Sequence, residues 1–239
     1  MDLQGKTALI TGGTKGIGLG IAEAMLTQGM KVMITGRKKA SVNAVVKKLS
    51  RKHKDNIMGL AGNVIDIKSQ KAAVSALKKE WKRLDVLIAN AGVGHFESIE
   101  DLTSKQWNEV IDVNLTGVFN SVKASIPSLK KTQGYIITIA SLAGCNFFAR
   151  GTAYNASKFG LVGFTQAMML DLRPYDIKCT TIMPGSVSTY FNNRKPNKKK
   201  DGWKIQPEDI GQMVVDLLKM PARTLPSKVE VRPSRPPGS

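Results

Sequence analysis

Short apolar runs alternate with longer amphipathic stretches along most of the chain. Residues 6–11, 31–35, 56–63, 85–89, 135–140, 177–182 and 228–231 are mostly apolar without a strict in-out alternation, the pattern of strands buried on both faces. Between them apolar residues recur at helical spacing. Ile21, Ala22, Met25 and Leu26 form one inner face, and Ala72, Ala73, Ala76 and Leu77 another. From 102 to 130 a single long helical pattern puts Trp107, Val110, Ile111, Leu115, Val118, Phe119 and Val122 on one stripe, with the amide Asn114 among them. A helix opening at Tyr154 carries Leu161, Val162, Thr165, Met168, Met169 and Leu172, and a shorter one spans 207–218. Strand followed by helix, repeated, predicts right-handed crossovers and an α/β fold with a parallel sheet covered by helices on both faces. Residues 1–232 read as a single unit and the Pro-rich end, 233–239, as a loose tail. A polar stretch, 186–204, lacks periodicity and reads as a long loop, either a lid or a disordered segment.

Composition narrows the class without naming a function. With 42% hydrophobic and 23% charged residues, 239 residues can bury a full core. No apolar run approaches the roughly 20 residues that span a bilayer. The opening residues show no charged-then-apolar leader, so a cytoplasmic protein is expected. Two cysteines, Cys145 and Cys179, make no disulfide framework, and no Cys/His cluster has the spacing of metal ligands. The formal charge of +18 is concentrated in 37–54 and 194–204. Neither stretch is interleaved with aromatics, so nucleic acid is not the expected partner.

Candidate chemistry clusters in two places. The first strand runs into Thr11-Gly12-Gly13-Thr14-Lys15-Gly16-Ile17-Gly18 and then into a helix. Glycines there allow a tight turn and close approach of a phosphate, and the helix start supplies free N–H groups and a positive dipole end. About twenty residues on, the second strand ends in Gly36-Arg37 rather than in the acid that would hold the ribose hydroxyls of NAD. A guanidinium fork suits a 2′-phosphate, so NADP is the expected cofactor, with Lys15 or Lys38 as a second cation.

The second cluster is Ser141, directly after a buried strand, and Tyr154 with Lys158 four residues later on one helical face. A phenol ordinarily titrates near 10. An ammonium at roughly 4 Å, with an effective dielectric of about 20, stabilises the phenolate by about 4 kcal/mol, or about three pKa units. The expectation is a tyrosine made acidic enough for proton transfer.

Taken together, Thr11-Gly12…Gly16-Ile17-Gly18, Asn90-Ala91-Gly92, Asn114, Ser141, Tyr154…Lys158 and Pro184-Gly185 resemble the short-chain dehydrogenase/reductase family over nearly the whole chain. The resemblance implies a Rossmann-like, doubly wound fold with a seven-stranded parallel sheet in three α/β/α layers, and hydride transfer between a nicotinamide and a carbonyl or alcohol. Tyr154 would be the general acid/base, Lys158 its activator and a holder of the ribose, and Ser141 the hydrogen-bonding partner of the substrate oxygen. Asn114 would support a water that relays protons to Lys158. It further implies a cofactor site of Gly12, Thr14, Lys15, Gly16, Ile17, Gly18, Arg37, Asn63, Val64, Asn90, Ala91, Gly92, Pro184, Gly185 and Val187, with Tyr154 and Lys158. Asn63 stands where relatives usually carry an Asp that meets the adenine amino group; an amide oxygen can still accept that bond. The substrate pocket is expected around Gly94, His95, Leu142, Cys145, Phe147 and Phe148.

Three functions are compatible with these residues. The first is an NADP(H)-dependent interconversion of a ketone or aldehyde and an alcohol, in a homodimer or homotetramer joined through the long helices. The second is reduction of 3-oxoacyl thioesters of carrier protein or coenzyme A, although the Gly-Gly tail common in such reductases is missing from 225–233. The third is a cofactor-bound sensor or basic binding protein without turnover.

Overall fold

The computed structural model describes residues 2–197 and 199–236, so Lys198 and the end of the Pro-rich tail, 237–239, lie outside the described residues. In chain order the elements are β1 (Thr7–Ile10), α1 (Gly16–Thr27), β2 (Lys31–Gly36), α2 (Lys39–His53), β3 (Ile57–Ala61), α3 (Ile67–Trp81) and β4 (Val86–Ala89). There follow α4 (Ser104–Ile111), α5 (Gly117–Thr132), β5 (Tyr135–Ile139), α6 (Thr152–Leu172), β6 (Lys178–Pro184), α7 (Pro207–Lys219) and β7 (Lys228–Val231). Among the described residues seven strands make one sheet in the order β3-β2-β1-β4-β5-β6-β7, and every pairing is parallel. Strand order reverses between β1 and β4. A crevice opens there, beyond the strands' carboxyl ends, because the loops on either side leave in opposite directions.

Successive strand residues point to opposite faces, and two cores follow from that alternation. Ala8, Ile10, Val32, Ile34, Val86 and Ile88 pack with Ile21 and Met25 of α1, Val42 of α2 and Val214 of α7 on one side. Leu9, Met33 and Leu87 pack with Leu77 of α3, Val122 of α5 and Leu161 of α6 on the other. Each fully buried Leu or Ile stabilises the fold by about 1.5–3 kcal/mol, so the two layers hold the sheet, and hence the crevice, rigid.

Three sequence expectations change. The stretch from 102 to 130 is not one straight helix: α4 and α5 are joined by a π-helical turn, Asp112–Thr116, and the extra residue rotates the faces of the two segments relative to each other. Trp107 and Phe119 consequently leave the stripe, at 37% and 48% exposure. In α3 the buried face is Gln70, Ala73, Val74, Leu77 and Trp81, which leaves Ala72 outward. The polar stretch after β6 is not wholly irregular, since Val187 bridges Ile205 in parallel and Asp201 gathers its strands of chain. The Asp201 carboxylate accepts from the Ser188 hydroxyl (3.2 Å), the Asn197 N–H (2.9 Å) and the Lys204 ammonium.

Candidate active site

The crevice is a cleft of about 1340 Å³ whose floor is the carboxyl end of the sheet. At its centre the chain leaves β1 through Gly12 at φ 67° and reaches α1 through Gly16 at φ 57°, a backbone path open to glycine. A side chain at Gly12 would lie 2.9 Å from the Ala91 Cα. Two residues lock this turn to β4. The Thr11 hydroxyl accepts from the N–H groups of Asn90 (3.0 Å) and Ala91 (3.1 Å), while the Asn90 amide donates to the carbonyls of Thr11 (2.9 Å) and Gly12 (3.2 Å). Lys15 at the N-cap of α1 makes no side-chain capping bond, so the helix's first N–H groups face the cleft without a protein acceptor from that residue. Positive-φ glycines, free helix N–H groups and adjacent cations are what a dinucleotide phosphate needs, and the residues present fit such a group.

Gly12, Thr14, Lys15, Gly16, Ile17, Arg37, Asn63, Val64, Asn90, Ala91, Gly92, Pro184, Gly185 and Val187 all line the cleft. Gly18 does not. It lies under the turn, where a Cβ would meet the Asn90 amide nitrogen at 2.5 Å and the Gly12 carbonyl oxygen at 2.6 Å, so it permits packing rather than contact with a ligand. The Asn63 side-chain oxygen already accepts from the Ile65 N–H at 3.3 Å, which leaves one lone pair for a ligand. Arg37 is not surrounded by cations alone. Glu109 of α4 reaches it at 3.9 Å, and the other oxygen of the same carboxylate meets His95 Nε2 at 2.9 Å.

At the other end Ser141 follows β5, Tyr154 and Lys158 sit in the first turns of α6, and all three line the cleft. The Ser141 hydroxyl accepts from the Ala143 N–H (3.1 Å) and donates to the Pro184 carbonyl (3.4 Å), and it lies near enough to the Tyr154 phenol to lower its pKa. The Lys158 ammonium donates to the Ile139 carbonyl at 3.0 Å and stands 5.6 Å from the centre of the Tyr154 ring. The expected acidification of the phenol does not hold in this resting site. Burial pushes Tyr154 up to about 12, with the Ser141 hydrogen bond opposing, and burial pushes Lys158 down to about 8. Both groups lose hydration in the same crevice, and desolvation outweighs an attraction that acts over this distance.

Asn114 sits in the π turn, fully buried, and does not line the cleft. Its amide oxygen accepts from the Val93 N–H (2.8 Å), and its nitrogen donates to the Val93 carbonyl (2.9 Å) and the Ser157 hydroxyl (3.0 Å). Ser157 in turn donates to the Tyr154 carbonyl at 2.8 Å. The side chain is therefore an internal tie that sets the loop after β4 against α6. A second such tie, unassigned from the sequence, is Asn155, whose amide donates to the carbonyls of Ala143 and Asn146, both at 2.8 Å, and shapes the loop after Ser141.

The expected substrate residues divide. Leu142 and Phe148 line the cleft. Gly94, His95, Cys145 and Phe147 do not: Phe147 is 85% exposed, His95 is held by Glu109, and the Cys145 thiol turns to the Leu142 carbonyl at 3.4 Å. Gly94 acts by having no side chain, since a Cβ would come within 2.8 Å of the Phe191 ring. Phe191 of the 186–204 loop, and Phe96, also line the cleft; the sequence placed the pocket in 94–98 and in the loop from 186 onward without singling out these two rings. Their rings stand 5.5 and 5.3 Å from that of Tyr154, and Phe148 lies 6.0 Å from Phe96. Phe96 directly follows His95, yet nothing in the local pattern separates a wall residue from its neighbour.

The doubly wound sheet, with a phosphate-type glycine turn at its switch point, defines the Rossmann-like class. The chain belongs to the short chain dehydrogenase family, whose family model matches residues 6–200. An uncharacterised oxidoreductase of Staphylococcus saprophyticus is 31% identical over 98% of this chain and 99% of its own length. The 3-oxoacyl-(acyl-carrier-protein) reductase of Vibrio harveyi is 33% identical over 79% of this chain and 76% of its own. Among solved structures, the alcohol dehydrogenase of Thermococcus sibiricus, complexed with 5-hydroxy-NADP, superposes with a TM-score of 0.91 at 28% identity, covering 98% of this chain and 99% of that one.

Proposed function

We propose that the protein is an NADP(H)-dependent oxidoreductase that interconverts a ketone or aldehyde with its alcohol and runs best as a reductase near neutral pH. The observation that carries this reading is the convergence of Ser141, Tyr154 and Lys158 on the same cleft that holds the glycine turn. When bound, the reduced nicotinamide supplies a hydride to the carbonyl carbon, and its own oxidation balances the reduction. Tyr154 donates its proton to the carbonyl oxygen. A phenol at about 12 is fully protonated at pH 7 and is still a stronger acid than the alcohol being formed, so the proton moves downhill in this direction. Ser141 hydrogen-bonds the same oxygen and holds it against the phenol. Lys158, charged below about pH 8, offsets the negative charge left on Tyr154. Asn114 acts as a positioning residue through Val93 and Ser157.

Arg37, together with the lack of an acid at the end of β2, supports NADP over NAD, and the 5-hydroxy-NADP complex of the Thermococcus enzyme agrees with it. Thioesters remain a second reading on the strength of the Vibrio relative. Association through α5 and α6 is part of the same reading, supported by the exposed rings Phe119 and Phe159. So is a cytosolic location: no helix among the described residues is long and apolar enough to cross a membrane, and Cys145 and Cys179 are both free.

The deciding experiment is NADPH oxidation monitored against a panel of ketones, aldehydes and acetoacetyl thioesters. Tyr154→Phe should lower turnover about 10²–10⁴-fold while NADPH affinity, followed by fluorescence, stays within about threefold. Wild-type rates in that variant would refute the role of Tyr154. Tight NADPH binding with no turnover on any member of the panel would favour the sensor reading.

A further inference from the structure

The walls of the cleft carry more positive charge than the cofactor requires. Beyond Lys15, Arg37 and Lys158, the lining includes Arg150, Arg194, Lys195, Lys200, Lys204 and Arg232 against a single carboxylate, Asp201. Over the whole chain the basic residues exceed the acidic only 36 to 18. Three of the six have their own acid: Arg150 pairs with Glu97 at 2.7 Å, Arg232 with Glu230 at 2.9 Å, and Lys204 with Asp201. Arg194, Lys195 and Lys200 have no ion-pair partner among the described residues, and Asp201 is already taken by Ser188, Asn197 and Lys204. Like charges gathered in a cleft repel one another and raise the local concentration of anions.

Their placement ties this charge to the reacting end. The lid passes the glycine turn where Thr189 lies against Gly16, then puts the Phe191 ring on Tyr154. The Arg194 N–H donates to the Phe191 carbonyl at 3.3 Å, so the unpaired cations begin within one turn of the ring that touches the phenol. Phe96 meets the Phe191 ring edge-on at 6.3 Å and Phe148 at 6.0 Å, so the three phenylalanines form one apolar wall beside the phenol.

Resting on the carbonyl-reductase reading, we infer that the substrate is an anionic carbonyl compound: an alkyl or aryl body held by Phe96, Phe148 and Phe191, and a carboxylate or phosphate held by Arg194, Lys195 and Lys200 of the lid. The anionic group takes no part in the reaction and leaves unchanged. A carboxylate a few atoms from the carbonyl suits Arg194, whereas the phosphates of a coenzyme-A-type carrier suit the farther lysines.

The test compares matched pairs that share a reacting group and differ in charge: 3-benzoylpropionate against its methyl amide, and acetoacetyl-CoA against the acetoacetyl thioester of N-acetylcysteamine. Within at least one pair the anionic member should have the higher kcat/KM by about tenfold or more at low ionic strength, and salt should shrink that ratio. The variant R194Q/K195Q/K200Q should bring the ratio below about threefold. Which pair responds tells a small oxo acid from a phosphorylated carrier. Ratios near one in both pairs, or ratios indifferent to both salt and the variant, would overturn the inference. So would a variant that loses NADPH affinity while its ratios stay wild-type, because the lid cations would then serve the cofactor. Trp203 lines the cleft, so the same pairs can be titrated by tryptophan fluorescence. Selective anion binding without turnover would keep the inference and sink the reductase reading.

Discussion

The two ends of the cleft are built from different materials. At the glycine turn the contacts are backbone to backbone or backbone to a short side chain, with Thr11, Gly12, Asn90 and Ala91 locked in a net of bonds between 2.9 and 3.2 Å. At the reacting end, side chains from separate segments meet: Ser141 after β5, Tyr154 and Lys158 from α6, Phe96 after β4, and Phe191 from the lid. A region made of backbone tolerates many side chains on its outer surface but no added atom inside. One made of side chains accepts small changes of volume and is sensitive to the chemistry and solvation of each group.

Substitutions at the two ends should therefore fail in different ways. At the reacting end, Lys158→Met removes a buried ammonium whose pKa lies near 8 rather than 10.5. That difference corresponds to about 3 kcal/mol. Below pH 8 the amine is charged in both states and the desolvation cost is constant. Between pH 8 and 10.5 the unfolded chain binds more protons, so the wild type gains stability as pH rises. Tyr154, raised from 10 to about 12, reverses the trend above pH 10 because there the folded chain holds the extra proton. Urea unfolding should show the variant more stable at pH 7 and without the rise between pH 8 and 10.5. A profile that keeps the rise would refute the burial of a charged Lys158.

At the backbone-built end the sign is opposite. Gly18→Ala adds one carbon against the Gly12 carbonyl and should destabilise by about 1–3 kcal/mol, seen as a lower urea midpoint, with weaker NADPH binding as the turn shifts. A neutral Gly18→Ala would mean that the turn can give. Smaller effects are expected at Arg37, an exposed side chain at the end of β2. Arg37→Ala should cut the preference for NADPH over NADH about tenfold in the ratio of dissociation constants. Glu109→Gln should raise that preference by less than about threefold, since the carboxylate competes with a phosphate for Arg37 through an exposed pair at 3.9 Å. If the ratio drops instead, Glu109 is aiding the phosphate site.

Legibility followed the same division. The glycine turn, the Asn90-Ala91-Gly92 corner and the strands were readable because each is local: a strand, a turn and a helix in sequence constrain one another within a few residues. The bounds of β7 and the start of α7 fall where the apolar pattern put them. Glu109 was not readable as a partner of Arg37, because the two stand 72 positions apart along the chain and only the packing of α4 near the end of β2 brings them together. The same holds for Phe96 and Phe191, which pack against Tyr154 and against each other. The direction of the Tyr154 shift was misjudged for a related reason: spacing along a helix fixes which groups are neighbours but not how much water each has lost.

Periodicity alone determined a parallel sheet with helices on both faces, since the 2.0 and 3.6 residue repeats leave few other ways to bury so much apolar surface. The order of strand, turn and helix also placed a glycine turn at the end of β1, and helical spacing put Tyr154 and Lys158 on one face of α6. Solvation of that pair, the aromatic wall around it and the unpaired cations above it were decided by tertiary structure. Desolvation and through-space charge depend on what surrounds a group in three dimensions, and those surroundings come from segments far away along the chain.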